Sequence, residues 1–267
     1  MKRDVACQMS INVLAATRLE FQIAVAPHPD VEVTEQFDVE VDGASVQPRE
    51  IIGSHGTRIH LLDVPNGLVK VDYKASLVGQ TAPPEVTDED LSRYLRPSRY
   101  AEADKLYRFV SSEFGADATD VELLTNIRSW VATRLRYLPG SSGPTDSAAD
   151  TLLSLRGVCR DYTHLVIALL RAAKVPARMV AVYAPGCYPM DFHAVAEAYV
   201  DGQWRVVDAT DLAPRSTLVR IATGRDAADT AFLDNHGGGI FMNYAWVQAT
   251  VDGDLPIDDI SELVSIG

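Results

Sequence analysis

Cysteine is scarce in this sequence. Three of the 267 residues are cysteines, and they are Cys7, Cys159 and Cys187. An odd and sparse set does not provide the disulfide framework of a small secreted protein, and it is typical of chains that work in a reducing compartment. The cysteine content therefore predicts a cytoplasmic location.

Long apolar runs are missing too. No stretch approaches the roughly 20 apolar residues that a membrane-spanning helix needs. The amino terminus is basic, but Gln8, Ser10 and Asn12 interrupt the apolar residues behind it. That pattern makes a poor signal-peptide core. We therefore expect neither a membrane segment nor a signal peptide.

Positive charge is the third shortage. The chain has 24 Lys and Arg against 37 Asp and Glu, which gives a formal net charge of −13. Nucleic acid carries charge of the same sign, so this balance disfavours it as a partner. Apolar residues make up 47% of the chain, which is ordinary for a globular protein and enough for a sizeable core.

Paired metal-ligand motifs are lacking as well. The sequence contains no Cys-x-x-Cys and no His-x-x-x-His pair, so Cys159, His164, His193 and Asp208 lack the local spacing of a zinc site. No acidic loop matches a calcium-binding pattern. We expect no metal and no cofactor.

The first part of the chain reads as β structure. Apolar and polar side chains alternate with the period of strands through residues 1–78, and Asn66-Gly67 is a two-residue hairpin signal. We interpret residues 1–80 as an amino-terminal β-sandwich domain. Residues 81–99, which contain Pro83-Pro84 and an acidic run, are interpreted as a linker.

Helical patterns dominate the next part. Thr119 and Glu122 form a capping box, and further apolar stripes at helical spacing follow it. Strand patterns return only after residue 177. Helices followed by strands, with few alternating β-α-β units, favour an α+β fold with an antiparallel sheet. We assign residues 100–267 to this second domain.

Cys159 begins the central helix of that domain. Gly157 is interpreted as an abrupt turn, and apolar residues from Tyr162 onward continue at helical spacing until Pro176. The unpaired N–H groups and the dipole at a helix amino end favour an anion, and a thiolate is such an anion. The same N–H groups could hold an oxyanion.

His193 and Asp208 lie on a predicted β-hairpin. If Asp201-Gly202 is its two-residue turn, Val200 faces Gln203 and the later pairs follow from that register. His193 and Asp208 then share one face as diagonal neighbours. Their backbones are expected roughly 7–8 Å apart, within reach of a side-chain hydrogen bond. A one-residue slip would separate them.

Three motifs carry a family resemblance. They are Gly-Val-Cys-Arg-Asp-Tyr at 157–162, Asp-Phe-His-Ala at 191–194, and Trp204 to Asp208 followed by Thr210. In this order they resemble bacterial transglutaminase-like proteins of the papain-like cysteine protease group. The resemblance covers roughly residues 90–230, and the preceding β-domain is also similar to that group. It departs at Val195, where many relatives carry Trp.

The resemblance implies a papain-like, transglutaminase-like core and a Cys159–His193–Asp208 catalytic triad. It also implies that the site holds no metal and that Tyr137 could act as an oxyanion donor or lid. The expected activity is that of a cysteine enzyme acting on amide bonds of a peptide or protein through a thioester.

Three alternatives remain open for that activity. Attack by water makes the protein a protease, peptidase or amidase, which we favour, and attack by an amine makes it a transglutaminase. The third is a non-catalytic peptide-binding or assembly module. The sequence also leaves open whether the chain forms a homo-oligomer.

Overall fold

A computed structural model describes residues 1–80, 86–115 and 118–266 of the chain. Its strands are β1 (Lys2–Val13), β2 (Thr17–Phe21), β3 (Glu32–Val41), β4 (Ala44–Val46), β5 (Arg49–Ile52), β6 (Arg58–Val64), β7 (Gly67–Val78), β8 (Arg136–Tyr137), β9 (Arg156–Gly157), β10 (Ala177–Tyr183), β11 (His193–Val200), β12 (Gln203–Val207), β13 (Val219–Gly224), β14 (Leu233–Gly237) and β15 (Ile240–Val251). Its α-helices are α1 (Asp88–Arg93), α2 (Tyr107–Phe114), α3 (Asp120–Arg134), α4 (Ala148–Ser154) and α5 (Cys159–Ala172). Short 3₁₀ turns occur at Ser54–Gly56, Ala103–Lys105 and Arg215–Thr217.

Two antiparallel sheets form the amino-terminal part. One has the order β15-β1-β7-β3-β4 and the other has the order β14-β2-β6-β5. Alternate residues of their strands bury one face, and Met9, Leu19 and Val71 meet in one hydrophobic core. This arrangement agrees with the predicted β-sandwich.

The hairpin expected at Asn66-Gly67 does not form. β6 pairs with β2 and β5, whereas β7 pairs with β1 and β3. The connection between β6 and β7 therefore passes from one sheet to the other. The turn signal is local, whereas the pairing is decided by the burial of one face of β6 and one face of β7 in the shared sandwich core.

The last two strands also belong to these sheets. β14 pairs with β2, and β15 pairs with β1 along almost its whole length. The sequence-based division had assigned both strands to the second domain, residues 100–267. Apolar side chains of β15, including Val247 and Ala249, complete the sandwich core, so distant parts of the chain share it.

The predicted linker at 81–99 differs from the structure in one respect. Pro83-Pro84 lies outside the described residues. The acidic run that follows is the short helix α1, and the Thr87 side chain accepts a hydrogen bond from the Asp90 N–H at 3.2 Å. Asp90 also pairs with His55 at 3.2 Å, so this segment is anchored to the sandwich.

A four-stranded antiparallel sheet of order β12-β11-β10-β13 supports the second part of the chain. Helix α5 packs on one face of it, where the small residues Ala194, Ala196 and Ala198 allow close approach. The other face meets the sandwich, and the Tyr183 hydroxyl donates to the Ile23 carbonyl at 2.8 Å. The sheet is therefore the middle layer of the molecule. The α+β class with an antiparallel sheet agrees with the prediction. Among the described residues, no helix combines the length and apolarity needed to span a membrane.

Candidate active site

Cys159 is the first residue of α5, as the sequence predicted. The preceding residue, Val158, is extended, and its N–H donates to the Asp161 carboxylate at 2.8 Å. Asp161 is fully buried and also accepts from the Ser142 hydroxyl at 2.6 Å. These bonds hold the first turn of the helix in place, so the cysteine sits at a defined helix start.

Gly157 is needed for close packing and not for a turn. It ends the short strand β9 and is not among the residues with positive φ. A Cβ atom at this position would lie 2.5 Å from the Cβ of Asp161. The predicted role of an abrupt bend is therefore wrong, because the constraint is the space that Asp161 occupies.

The hairpin has the predicted register. Val200 pairs with Gln203 and Tyr199 pairs with Trp204. Asp201 and Gly202 both have positive φ, 53° and 73°, as a type I′ turn requires. Regular pairing ends before Asp208, which follows the last residue of β12.

His193 and Asp208 form the expected pair. His193 Nε2 lies 2.8 Å from Asp208 Oδ2, and both residues are buried. The other carboxylate oxygen accepts from the Thr210 N–H at 2.8 Å and from the Thr210 hydroxyl at 2.7 Å. Thr210 thus fixes the carboxylate, and the carboxylate in turn fixes the imidazole.

Helix α5 brings the thiol to the imidazole. One turn after Cys159, the Thr163 hydroxyl donates to the Ala194 carbonyl at 2.9 Å. Ala194 directly follows His193, so the first turn of α5 docks on the first residues of β11. Cys159 is half-buried, and its side chain is near enough to His193 to contribute to the raised pKa of the histidine.

The electrostatics favour an imidazolium. Burial lowers the pKa of His193, but the Asp208 carboxylate and hydrogen bonds to Asp208 and Cys159 outweigh burial and leave the pKa raised. Burial raises the pKa of Asp208, but His193 and Thr210 outweigh it and leave the pKa lowered. A doubly protonated imidazole beside a cysteine is the partner that a thiolate requires.

Tyr137 also lies at the cysteine. β8 pairs with β9 so that Tyr137 is opposite Gly157, and its ring packs against Tyr162 with centroids 5.8 Å apart. Burial and Cys159 raise the pKa of the Tyr137 phenol, whereas the backbone N–H of Cys159 acts in the opposite direction and lowers it. The sequence placed Tyr137 near the site only through the family resemblance.

Cys187 lies nearer to the site than the sequence suggested. Burial raises its pKa, and the charges of His193, Cys159 and Asp208 also act on it. Its thiol donates to the Pro189 carbonyl at 3.5 Å. Its separation of six residues from His193 is the sequence feature that could have indicated this position.

His164 does not join the cluster. It is fully buried on α5, stacks on Tyr100, and accepts the Ala227 N–H at 3.1 Å. Burial lowers its pKa to about 4, so it is neutral and anchors the helix. In the described part of the chain, no group of three or more His, Cys, Asp or Glu is placed to hold a metal ion.

Comparison with known proteins gives the same family. A family profile described as "Transglutaminase-like superfamily" matches residues 98–209, which include Cys159, His193 and Asp208. A solved structure from Cytophaga hutchinsonii, described as a "Putative Cysteine Protease", is 31% identical with a TM-score of 0.87. That similarity covers 98% of this chain and 96% of the other, so it includes the β-sandwich.

Curated relatives are more distant. An uncharacterized protein of Mycobacterium leprae is 26% identical over 150 residues, which are 52% of this chain and 53% of that protein. An uncharacterized protein of Mycobacterium tuberculosis is 30% identical over 162 residues, 55% of this chain and 46% of that protein. The chain therefore spans about half the length of the curated relatives it matches.

The His193–Asp208 pair makes a pH prediction. Because the pKa of His193 is raised, its contribution to stability is complete below the unfolded value of about 6.5 and is lost as the pH rises through the folded value. The pKa of Asp208 is lowered, so its contribution to stability is present at higher pH and is lost as the pH falls through the folded value. Ring-nitrogen NMR should therefore show His193 protonated at neutral pH, and Asp208→Asn should shift its deprotonation to lower pH.

His60 is the control for this titration. Burial lowers its pKa to about 4, and it lies on β6 in the sandwich. Its signals should be the same in both proteins. A His193 titration that Asp208→Asn leaves unchanged would show that the carboxylate does not hold the imidazolium.

Proposed function

This chain belongs to the transglutaminase-like superfamily, and on that premise we propose that it is a cysteine-dependent enzyme that acts on amide bonds of a peptide or protein. The observation that carries the proposal is the buried His193–Asp208 pair, 2.8 Å apart, beside a cysteine at a helix start. We propose Cys159 as nucleophile, His193 as acid and base, and Asp208 as the residue that orients His193.

The proposed reaction has two steps. The Cys159 thiolate attacks the amide carbonyl carbon, the C–N bond breaks, and His193 gives its proton to the leaving amine. A thioester remains. In the second step His193 takes a proton from water, the resulting hydroxide attacks the thioester, and the acid product leaves as the thiolate re-forms.

Hydrolysis is the proposed outcome, with transfer to an amine as the alternative. Residue Cys159 is half-buried and therefore partly exposed to solvent, which supports access of water to the thioester. An amine acceptor would need a site that competes with water. We also propose a cytoplasmic location, supported by three cysteines that are all free.

Tyr137 has a proposed role in the first step. The backbone N–H of Cys159 acts on the pKa of this hydroxyl, so the two groups are neighbours. That N–H is one of the donors that a helix start offers to an oxyanion, and the hydroxyl can donate its own proton to the same developing oxyanion. We therefore propose Tyr137 as an oxyanion donor at the rim of the site.

Alkylation tests the thiolate. Cys159 should react with iodoacetamide faster than the other two cysteines, because it is partly exposed and lies beside His193, which can take its proton. Cys7 and Cys187 are internal controls: both are buried, and burial raises the pKa of Cys7 to about 12. Peptide mass spectrometry should find at least tenfold faster labelling of Cys159, because each unit by which burial raises the pKa of a control thiol lowers its thiolate fraction roughly tenfold.

Cys159→Ala completes that test. It should abolish turnover while the melting temperature stays close to that of the unmodified protein. If Cys159 is instead labelled no faster than Cys187, the non-catalytic peptide-binding or assembly alternative is favoured. Global unfolding of the variant would assign a structural role to the thiol.

Tyr137→Phe tests the oxyanion role. Removing one donor should lower kcat about 10²-fold with little change in KM, since the bond forms only in the transition state. The ring contact with Tyr162 is kept by phenylalanine, so a fold defect is not expected. Unchanged kcat would exclude the hydroxyl from the reaction.

Product analysis separates hydrolysis from transfer. A peptide library containing glutamine and asparagine should release ammonia or cleaved peptide, and an added labelled amine should not be incorporated. Mass spectrometry measures both products in one reaction. Incorporation of the amine at a rate comparable to hydrolysis would favour the transglutaminase alternative.

A further inference from the structure

A pocket lies apart from the cysteine site. It is a cavity of about 150 Å³ between the sandwich and the four-stranded sheet. Its wall is apolar in part, with Val31, Leu77 and Leu218. The basic side chains that line it are Arg3, His28, His55, Arg178 and Arg220. Among the described residues that line it, none carries a carboxylate.

Two of these arginines share a single carboxylate. Arg178 Nε lies 2.7 Å from Glu197 Oε2, and Arg220 Nη2 lies 2.6 Å from Glu197 Oε1. Burial raises the pKa of Glu197, but both arginines outweigh burial and lower it to about 2, so the group is ionised. Two guanidinium groups and one carboxylate leave a net charge of +1 in the interior. Such an excess is costly without a counter-charge.

Arg178 also has an unused donor. The residue is 1% exposed, and its Nη2 is buried without a hydrogen-bond partner in the described structure. The other fully buried arginine, Arg171, differs. All three of its guanidinium nitrogens donate, to carbonyls and one hydroxyl at 2.7–3.1 Å. The fold can satisfy a buried arginine completely, and at Arg178 it does not.

The described neighbours of the cluster place no carboxylate in the wall of the cavity. The Arg178 guanidinium lies 4.0 Å from the centroid of the Trp204 ring, a contact that stabilises a cation without neutralising it. The Asp90 carboxylate lies 3.2 Å from His55 and does not line the cavity. Burial is the largest cause of the lowered pKa of His55; Arg178 and Arg220 lower it further, whereas Asp90 and Glu197 raise it.

We propose that this cavity binds a small oxyanion of the phosphate or carboxylate type. Arg178 and Arg220 both line the cavity, and with Glu197 they form a cluster of two guanidinium groups and one carboxylate. A volume of 150 Å³ equals about five water molecules at ~30 Å³ each, which accommodates the five heavy atoms of a phosphate ion. An anion bound there offsets the charge of the second guanidinium and accepts hydrogen bonds from the basic side chains of the wall.

The cavity is linked to the strand that carries the catalytic imidazole. Glu197 lies on β11, four residues after His193, a separation of about 13 Å along a strand. The bound anion would therefore stabilise the sheet that positions His193, without entering the cysteine site. The inference does not depend on the proposed enzyme activity, and its test needs no turnover.

Inorganic phosphate is the first probe. Titration into the full chain by calorimetry should give saturable binding with one site, and the melting temperature should rise with phosphate concentration. Sulfate and acetate are titrated in parallel at matched ionic strength. They show whether the site prefers a divalent oxyanion or a carboxylate. Sodium chloride at the same ionic strength is the baseline. If none of the three anions exceeds chloride, the proposal is wrong.

Two variants locate the binding. Arg178→Lys and Arg220→Lys keep the positive charge but lose the forked donors, so each should weaken binding at least tenfold. Arg215→Lys is the matched control, because Arg215 is also buried and paired with Asp258 but does not line the cavity. Binding that survives both cavity variants would place the anion elsewhere and overturn the proposal. If a variant does not fold, a phosphate-soaked crystal of the unmodified protein decides whether the cavity is filled.

Discussion

The candidate site depends on one docking contact, between the first turn of α5 and the first residues of β11. Thr163 donates to the Ala194 carbonyl, and the alanine face of β11 lets the helix lie close to the sheet. Because Cys159 begins the helix and His193 begins the strand, the same contact brings a thiol and an imidazole together. A bulkier β11 face would hold the helix away and separate them.

Buried charge is handled differently at three places in this molecule. The His193–Asp208 pair is closed by Thr210, and each member shifts the pKa of the other towards the charged form. Arg171 donates hydrogen bonds from all three guanidinium nitrogens to carbonyls and a hydroxyl. The Arg178 cluster sets two guanidinium groups on one carboxylate and leaves Arg178 Nη2 without a hydrogen-bond partner among the described residues.

The sandwich contributes to the second part of the chain more directly than a separate domain would. Strands from both ends of the sequence complete its sheets, and its core continues into the middle sheet through Tyr183 and Ile221. The sheet that carries His193 is therefore packed on both faces. Rigid support of this kind limits the movement of the imidazole and the thiol relative to each other.

Short-range patterns were sufficient to predict much of the site. The Asp201-Gly202 turn sets the register of its hairpin, because a type I′ turn allows a single alignment of the flanking strands. That register brings His193 and Asp208 to one face. The start of α5 at Cys159 likewise follows from the helical spacing of the apolar residues after it, and Pro176 indicates that the helix ends before that residue.

The remaining features required the tertiary structure. Gly157 is needed because Asp161 fills the space beside it, and β14 and β15 join the sandwich because its core needs their apolar faces. The Asn66-Gly67 signal failed for the same reason, since sheet pairing is decided by burial and not by the turn alone. The sequence by itself determined the elements and the chemistry they carry. Only packing between distant segments decided which strands pair, which side chains surround the cysteine, and where two buried arginines share one carboxylate.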